Sequence, residues 1–295
     1  MPSKERRILY AVLLNVSLTI IEVLGGFWTN SLAILSDAIH DFGDSVALGS
    51  SWVLERKAKK IPDKLRTYGY QRLSLFSALF SALVLVAGSL IIFFQAIPRL
   101  YNPQLVDASG MFGLAIIGII LNGVGVILLK KGQSQNEKIL SWHLLEDVLG
   151  WIVILIGSVT IYFWDIYIID PIMTIGLTGF ILYNVLKNLK ETTNILLQGV
   201  PRHISIKNME KNILDIDGVL GVHDIHVWSL EGETDVFTGH VIVQESQYGK
   251  PDQIRNKIKM VLFNHHIEHS TIELEREGFC SGLECKDWNI KRKRT

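Results

Sequence analysis

SDAIHDFGDS, residues 36–45, lies inside a run of apolar residues long enough to cross a bilayer. It nevertheless carries Asp37, His40, Asp41 and Asp44, and charges at that depth are costly unless they serve a function. At 3.6 residues per turn His40 and Asp44 sit one turn apart on one helix face, a spacing that offers two ligands to one metal ion. A second stretch, WHLLEDVLGW at 142–151, repeats the pattern with His143 and Asp147. One such pair is as readily a hydrogen-bonded packing contact. Two matching pairs in separate apolar segments bring two imidazoles and two carboxylates together, a nitrogen and oxygen set that suits tetrahedral Zn²⁺. With neutral imidazoles the two carboxylates leave the site doubly negative, and a divalent cation offsets the cost of holding them at low dielectric. Imidazole and carboxylate must shed protons to bind metal, so metal and protons compete for one site. A site of this kind that opens alternately to either side exchanges metal for protons.

The rest of the chain is organised around these segments. Of its 295 residues 48% are hydrophobic, and they are unevenly spread. Up to about residue 197 they fall in blocks near 8–28, 32–54, 73–97, 108–129, 140–163 and 168–189; after Pro201 the sequence reads as soluble. Six spans place both termini on one side. Lys and Arg concentrate at the N-terminus, in 56–72, in 130–138 and at 187–190, whereas the opposite loops carry only Arg99, so both termini and the soluble part are expected to face the cytoplasm. MPSKERR is basic but no small-residue cleavage site follows it, so the first segment reads as a membrane helix and not as a cleaved signal. A net charge of zero excludes a strongly basic nucleic-acid binder. Gly118, Gly123 and Gly125, beside Asn122, read as packing devices that let helices approach closely.

Beyond QGVPRH at 198–203, SIKNMEKNILDI has helical periodicity, GVLGVHDIHVWSL and VFTGHVIVQ read as strands, DQIRNKIKMVLFNHH as an amphipathic helix and STIELERE as a third strand. The expected fold is a membrane all-α six-helix bundle, residues 1–200, followed by a C-terminal cytoplasmic α+β domain of order αββαβ and metallochaperone or ferredoxin-like type, residues 201–285. Residues 286–295 form a basic tail with at most a weak attraction to anionic membrane lipid.

Two H-x-x-x-D helices, the second and fifth of six, the SLAILSDAIHDFGDS run that holds the first, and HDIHVWSL in the soluble part together resemble the cation diffusion facilitator family of zinc transporters, over about residues 9–285. The resemblance implies a homodimer in the cell membrane that exports Zn²⁺ in exchange for H⁺, with His40, Asp44, His143 and Asp147 as the transport site. Two His with two Asp resembles the zinc-selective pattern; members with Asp in place of the second-helix His tend to accept cadmium as well. It also implies a cytoplasmic site for regulatory Zn²⁺ at His223, His240, His269 and Glu275. His269, Thr271, Glu273 and Glu275 share a face if their strand begins early. Cys280 and Cys285 resemble the terminal cysteine pair of some members, though more widely spaced than C-x-x-C; a reduced cytoplasm favours metal binding or free thiols over a disulfide. His226 alternates to the other strand face, and His203, His265 and His266 read as surface or core histidines.

Asp37, one turn before His40, is a candidate for ion access or proton relay. Asp41 and Glu146 each adjoin a ligand and point about a hundred degrees away, toward a polar partner or a water-filled cavity. Asn15 and Glu22 on the first helix could line the same cavity. The loop KAKKIPDKLRTYGYQR at 57–72 has no His and reads as a solvated positive-inside loop, and KKGQSQNEK at 130–138 lacks the His-rich insertion of other members. An intramembrane metalloenzyme would need an open metal position and a general base, and no H-E-x-x-H occurs. A sensor that does not transport would leave four intramembrane ligands idle.

Overall fold

The computed structural model describes residues 4–58, 60–130, 135–249 and 251–277. Cys280, Cys285 and the basic tail lie outside the described residues. Two compact units form, one of residues up to 60 together with 76–190, the other of residues 61–75 with those from 191 onward.

The first unit is helical: α1 (Lys4–Thr29), α2 (Leu32–Ala58), α3 (Leu73–Tyr101), α4 (Ala108–Lys130), α5 (Gln135–Trp164) and α6 (Ile169–Leu196). Four of these, α3 to α6, are long and apolar enough to cross a membrane by length and composition, and α1 adds the apolar stretch Leu13–Thr29. α2 falls short of that measure because Asp37, Asp41 and Asp44 lie within it. Glu22 on α1 and Asp37 and Asp41 on α2 are buried, with Glu22 beside Asp41. The apolar side chains of the outer surface, such as Phe80, Phe94, Phe163 and Trp164, are exposed, as a lipid-facing surface requires.

One end of the bundle is tied by its short turns. Asn30, in the left-handed region at φ 55°, turns the chain from α1 into α2. Arg99 at the end of α3 donates to the Asn30 carbonyl at 2.7 Å and to its side-chain oxygen at 2.9 Å. The lone basic residue of the opposite loops is thus held by a structural partner. Buried Asp170, in the first turn of α6, accepts from the Ser31 hydroxyl at 2.6 Å and from the backbone N–H groups of Leu32 at 3.0 Å and Ala33 at 3.3 Å. A carboxylate from one helix therefore satisfies the open N-terminal donors of another.

Glycines set several close approaches, Gly118 and Gly43 among them. A Cβ on Gly118 would come within 2.3 Å of the Trp151 ring, so the ring packs flat on α4 only because that position is bare; a Cβ on Gly43 would meet Leu85 at 2.2 Å. Gly123 faces open space and Gly125 lies against Leu144. Polar links between helices include Ser81 Oγ donating to the Gly43 carbonyl at 3.0 Å and the Ser36–Thr178 hydroxyl pair at 2.9 Å.

The second unit runs α7 (Ile206–Leu214), β1 (Val219–Ser229), β2 (Asp235–Val243), a short α8 (Glu245–Tyr248), α9 (Pro251–Asn264) and β3 (Ile267–Arg276). The αββαβ order holds, with α8 as an added turn. The sheet order is β1-β2-β3, antiparallel between β1 and β2 and parallel between β2 and β3. Met209 and Ile213 of α7 and Ile254, Ile258 and Leu262 of α9 share one core with Val222, Val227, Phe237 and Val241, so both helices cover the same sheet face.

Residues 61–75 belong to this unit through specific contacts. Asp63 Oδ1 accepts from the backbone N–H groups of Leu65 and Arg66, both at 2.8 Å, and the Tyr70 hydroxyl donates to its other oxygen. These bonds, the Tyr70 one foremost, hold the Asp63 carboxyl below the usual carboxylate range. Arg72 Nε donates to the Leu230 carbonyl at 3.2 Å. The loop is therefore a folded turn attached to the soluble domain, where the sequence suggested only a solvated segment.

Candidate metal centres

Helical geometry brings the two H-x-x-x-D pairs together. His40 Nε2 lies 3.6 Å from Asp44 Oδ2 and 4.0 Å from Asp147 Oδ1; His143 Nε2 lies 3.1 Å from Asp44 Oδ2 and 3.9 Å from Asp147 Oδ2. The imidazoles meet edge to face, with ring centroids 5.6 Å apart. A tetrahedral ion with ligands about 2.0–2.2 Å away sets ligand-to-ligand edges of about 3.4 Å, and the four observed edges bracket that value. One ligand atom each from His40, Asp44 and His143 fall within 4.8 Å of one another. Asp147 stands slightly outside that group yet reaches both rings with its two oxygens.

The site has a buried side and an accessible side. The Asp147 side chain is 1% exposed, whereas those of His40, Asp44 and His143 are 23–24% exposed. They line a cavity of about 370 Å³ whose wall continues along α6 through Asn184, Lys187 and Asn188. On α6 those residues lie toward the end that leads to the soluble domain, and His143 lies toward the start of α5, so the cavity runs to one end of the bundle. Asp37 lines the same cavity, and a Cβ on Gly150 of α5 would sit 3.5 Å from its Oδ1. Glu146 also lines it; adjacent to Asp147, it is three residues from His143 and so shares that residue's face. Asp41 takes the other course and is buried away from the cavity beside Glu22. Asn15 donates to the Asp41 carbonyl at 3.5 Å and to Ser45 Oγ at 3.4 Å.

In the soluble domain a second group forms on the sheet face opposite α7 and α9. His223 Nε2 pairs with Glu275 Oε2 at 2.9 Å and His240 Nδ1 with Glu275 Oε1 at 2.7 Å. The three are clustered closely enough to hold a metal ion. The other ring nitrogen of His240 faces Asp224 Oδ2 at 3.5 Å and Glu273 Oε2 at 3.6 Å.

His269, expected in this group, is elsewhere. His240 is in register with Glu273 and Val236 with His269, and four residues of strand, at about 3.3 Å each, separate the two β3 positions. The face is shared, as expected, but the His269 ring packs edge-on against Tyr68 instead, with centroids 5.4 Å apart.

Asp224 was not singled out by sequence reasoning, and His226 was assigned to the wrong face. His223 pairs with His240 and His226 with Thr238, three residues against two, so a β-bulge lies between them with Asp224 in the left-handed region at φ 52°. The extra residue returns His226 to the face of His223, and Asp224 Oδ1 meets His226 Nε2 at 3.1 Å. Its signal was present in HDIHVW, because Asp tolerates that conformation better than most residues. His203 pairs with buried Asp235 at 2.6 Å and His265 with Asn212 at 3.1 Å, as surface histidines with local partners do.

An apolar helical bundle with a half-open His and Asp site in its interior, joined to a small α+β domain, defines a membrane transporter for metal cations. The cation efflux transmembrane domain family matches residues 8–197, and the cytoplasmic domain family of cation efflux proteins matches residues 201–277. The chain belongs to this family, which is one of transporters and not of enzymes, and it is an integral membrane protein. It is 32% identical to zinc transporter ZitB of Escherichia coli strain K12, over 96% of this chain and 91% of that protein. It is also 32% identical to the metal cation efflux system protein CzcD of Cupriavidus metallidurans, over 92% and 86%. To the cadmium, cobalt and zinc/H(+)-K(+) antiporter of Bacillus subtilis strain 168 it is 29% identical, over 94% and 90%.

Proposed function

We propose that this chain exports Zn²⁺ from the cytoplasm in exchange for protons, with His40, Asp44, His143 and Asp147 as the transport site. The observation that carries the reading is the convergence of these four side chains at the inner end of a cavity that runs to one end of the bundle. Neutral imidazoles and ionised carboxylates take the ion; the protons they must lose leave by the same cavity, and reprotonation from the other side releases the metal. Asp37, in the cavity wall, relays ions or protons between site and solvent. The names of the bacterial relatives, zinc transporters and a zinc/H(+)-K(+) antiporter among them, support zinc as cargo and protons as counter-ion. The protein's seat is the cell membrane, and the charge pattern of the loops supports an orientation with both termini in the cytoplasm.

The soluble domain, residues 201–285, acts as the dimerising and sensing part of a homodimer. Its family of cytoplasmic domains supports the assembly, and zinc at His223, His240 and Glu275 regulates transport.

The test is zinc uptake by inside-out vesicles or proteoliposomes with reporters for both ions. Zinc entry accompanied by alkalinisation of the lumen is expected, and its loss in Asp44→Ala and Asp147→Ala. Zinc uptake without proton movement would remove the exchange, and undiminished uptake by both variants would remove the site.

A further inference from the structure

We propose that Glu146, Asn184 and Asn188 form an outer subsite for a hydrated divalent cation on the path to the transport site, with Lys187 as the opposing charge that keeps binding there weak. This inference rests on the transport-site reading above and adds a second, shallower station to it. The four residues come from two helices and line the same cavity as His40 and His143. Asn184, Lys187 and Asn188 have the i, i+3, i+4 spacing of one helix face. Glu146 shares the face of His143 on α5. Exposure increases outward, from buried Asp147, through the partly exposed imidazoles, to exposed Glu146, Lys187 and Asn188. The polar group therefore occupies the mouth.

Its chemistry differs from that of the inner site. The amides and the carboxylate present oxygens that accept hydrogen bonds from the waters of a hydrated ion, without replacing them. Glu146 and Lys187 bring side chains of opposite sign to the mouth, while the interior presents the imidazoles and carboxylates of His40, Asp44, His143 and Asp147. An ion is thus held loosely where it still carries water and tightly where nitrogen and oxygen ligands replace that water. Lys187 prevents the mouth from becoming a trap, because a carboxylate without its counter-charge would retain a divalent ion.

The experiment is the initial rate of zinc transport against zinc concentration, at fixed pH, in proteoliposomes at low and high ionic strength. A unit charge acting on a divalent ion at about 8 Å through water changes its local concentration about fivefold when salt is low, and salt of about 1 M removes the effect. Glu146→Gln is therefore expected to raise KM about fivefold at low salt and to leave it unchanged at high salt, with the saturating rate preserved. Lys187→Gln is expected to lower KM by a similar factor under the same conditions. Opposite shifts of this kind cannot arise from misfolding. Asn188→Leu is expected to raise KM at both salt concentrations. An unchanged KM in Glu146→Gln at low salt, or a loss confined to the saturating rate, would overturn the subsite. Asp147→Asn separates the two readings: if its zinc dependence moves to far higher concentration while Glu146→Gln is silent, the outer subsite falls and the transport site stands, and if its zinc dependence is unchanged, both fall.

Discussion

Replacing Asp147 by Asn is expected to stabilise the fold and to weaken zinc transport, two effects of opposite sign from one isosteric change. The side chain is 1% exposed, neither carboxylate oxygen has a hydrogen-bond partner among the described residues, and the oxygens stand 4.0 and 3.9 Å from the two ring nitrogens. Without metal this is a buried charge whose desolvation is poorly offset, and an amide of the same shape removes that cost. With metal the balance reverses. Removing one charged partner from a buried pair costs about 3–5 kcal/mol, which at its lower end is about a hundredfold in affinity. The assay pairs thermal unfolding in chelator with zinc flux in proteoliposomes. The expected result is a melting temperature at or above that of the unaltered protein, with the zinc dependence shifted to about a hundredfold higher concentration. A variant that melts lower and transports with unchanged affinity would show that Asp147 is a packing residue and would refute the reasoning.

In the soluble domain, His240→Ala should lower the zinc bound per protomer, measured by elemental analysis of the purified full chain, whereas His269→Ala should leave it unchanged because that ring packs on Tyr68. Asp170→Asn weakens the charge-assisted bonds that cap α2 and should cost about 1–3 kcal/mol of stability, read as earlier thermal unfolding, with zinc affinity little altered. Zinc affinity should fall as the medium is acidified. Imidazole and carboxylate must release protons to bind metal, so protons compete with zinc for the site; equal affinity at pH 5.5 and 7.5 would contradict direct ligation by His40 and His143.

Much of the site was legible because its information is local. A spacing of four residues on a helix fixes which side chains share a face, so His40 with Asp44 and His143 with Asp147 could be paired before any packing was known. In the soluble domain, period-two patterns located three strands, but which residues face one another across them depends on register. One bulged residue at Asp224 moved His226 to the metal face, and the offset between β2 and β3 placed Glu273 beside His240 while carrying His269 away. Glu146 was read from its neighbour Asp147, although its relation to His143, one turn earlier, decides where it lies.

The sequence by itself determined the family, the succession of helices and strands, and the four inner candidate ligands of the stretch that begins at SDAIHDFGDS and its partner at WHLLEDVLGW. The family follows from the resemblance of these motifs, and the elements and candidate ligands from periodicities that act within one element. Only the tertiary structure decided that α6 completes the cavity wall, that Arg99 and Asp170 are structural ties, and that the loop at 61–75 belongs with the soluble domain. Each of these is a contact between residues distant in sequence, formed by packing and hydrogen-bond geometry that no single element encodes.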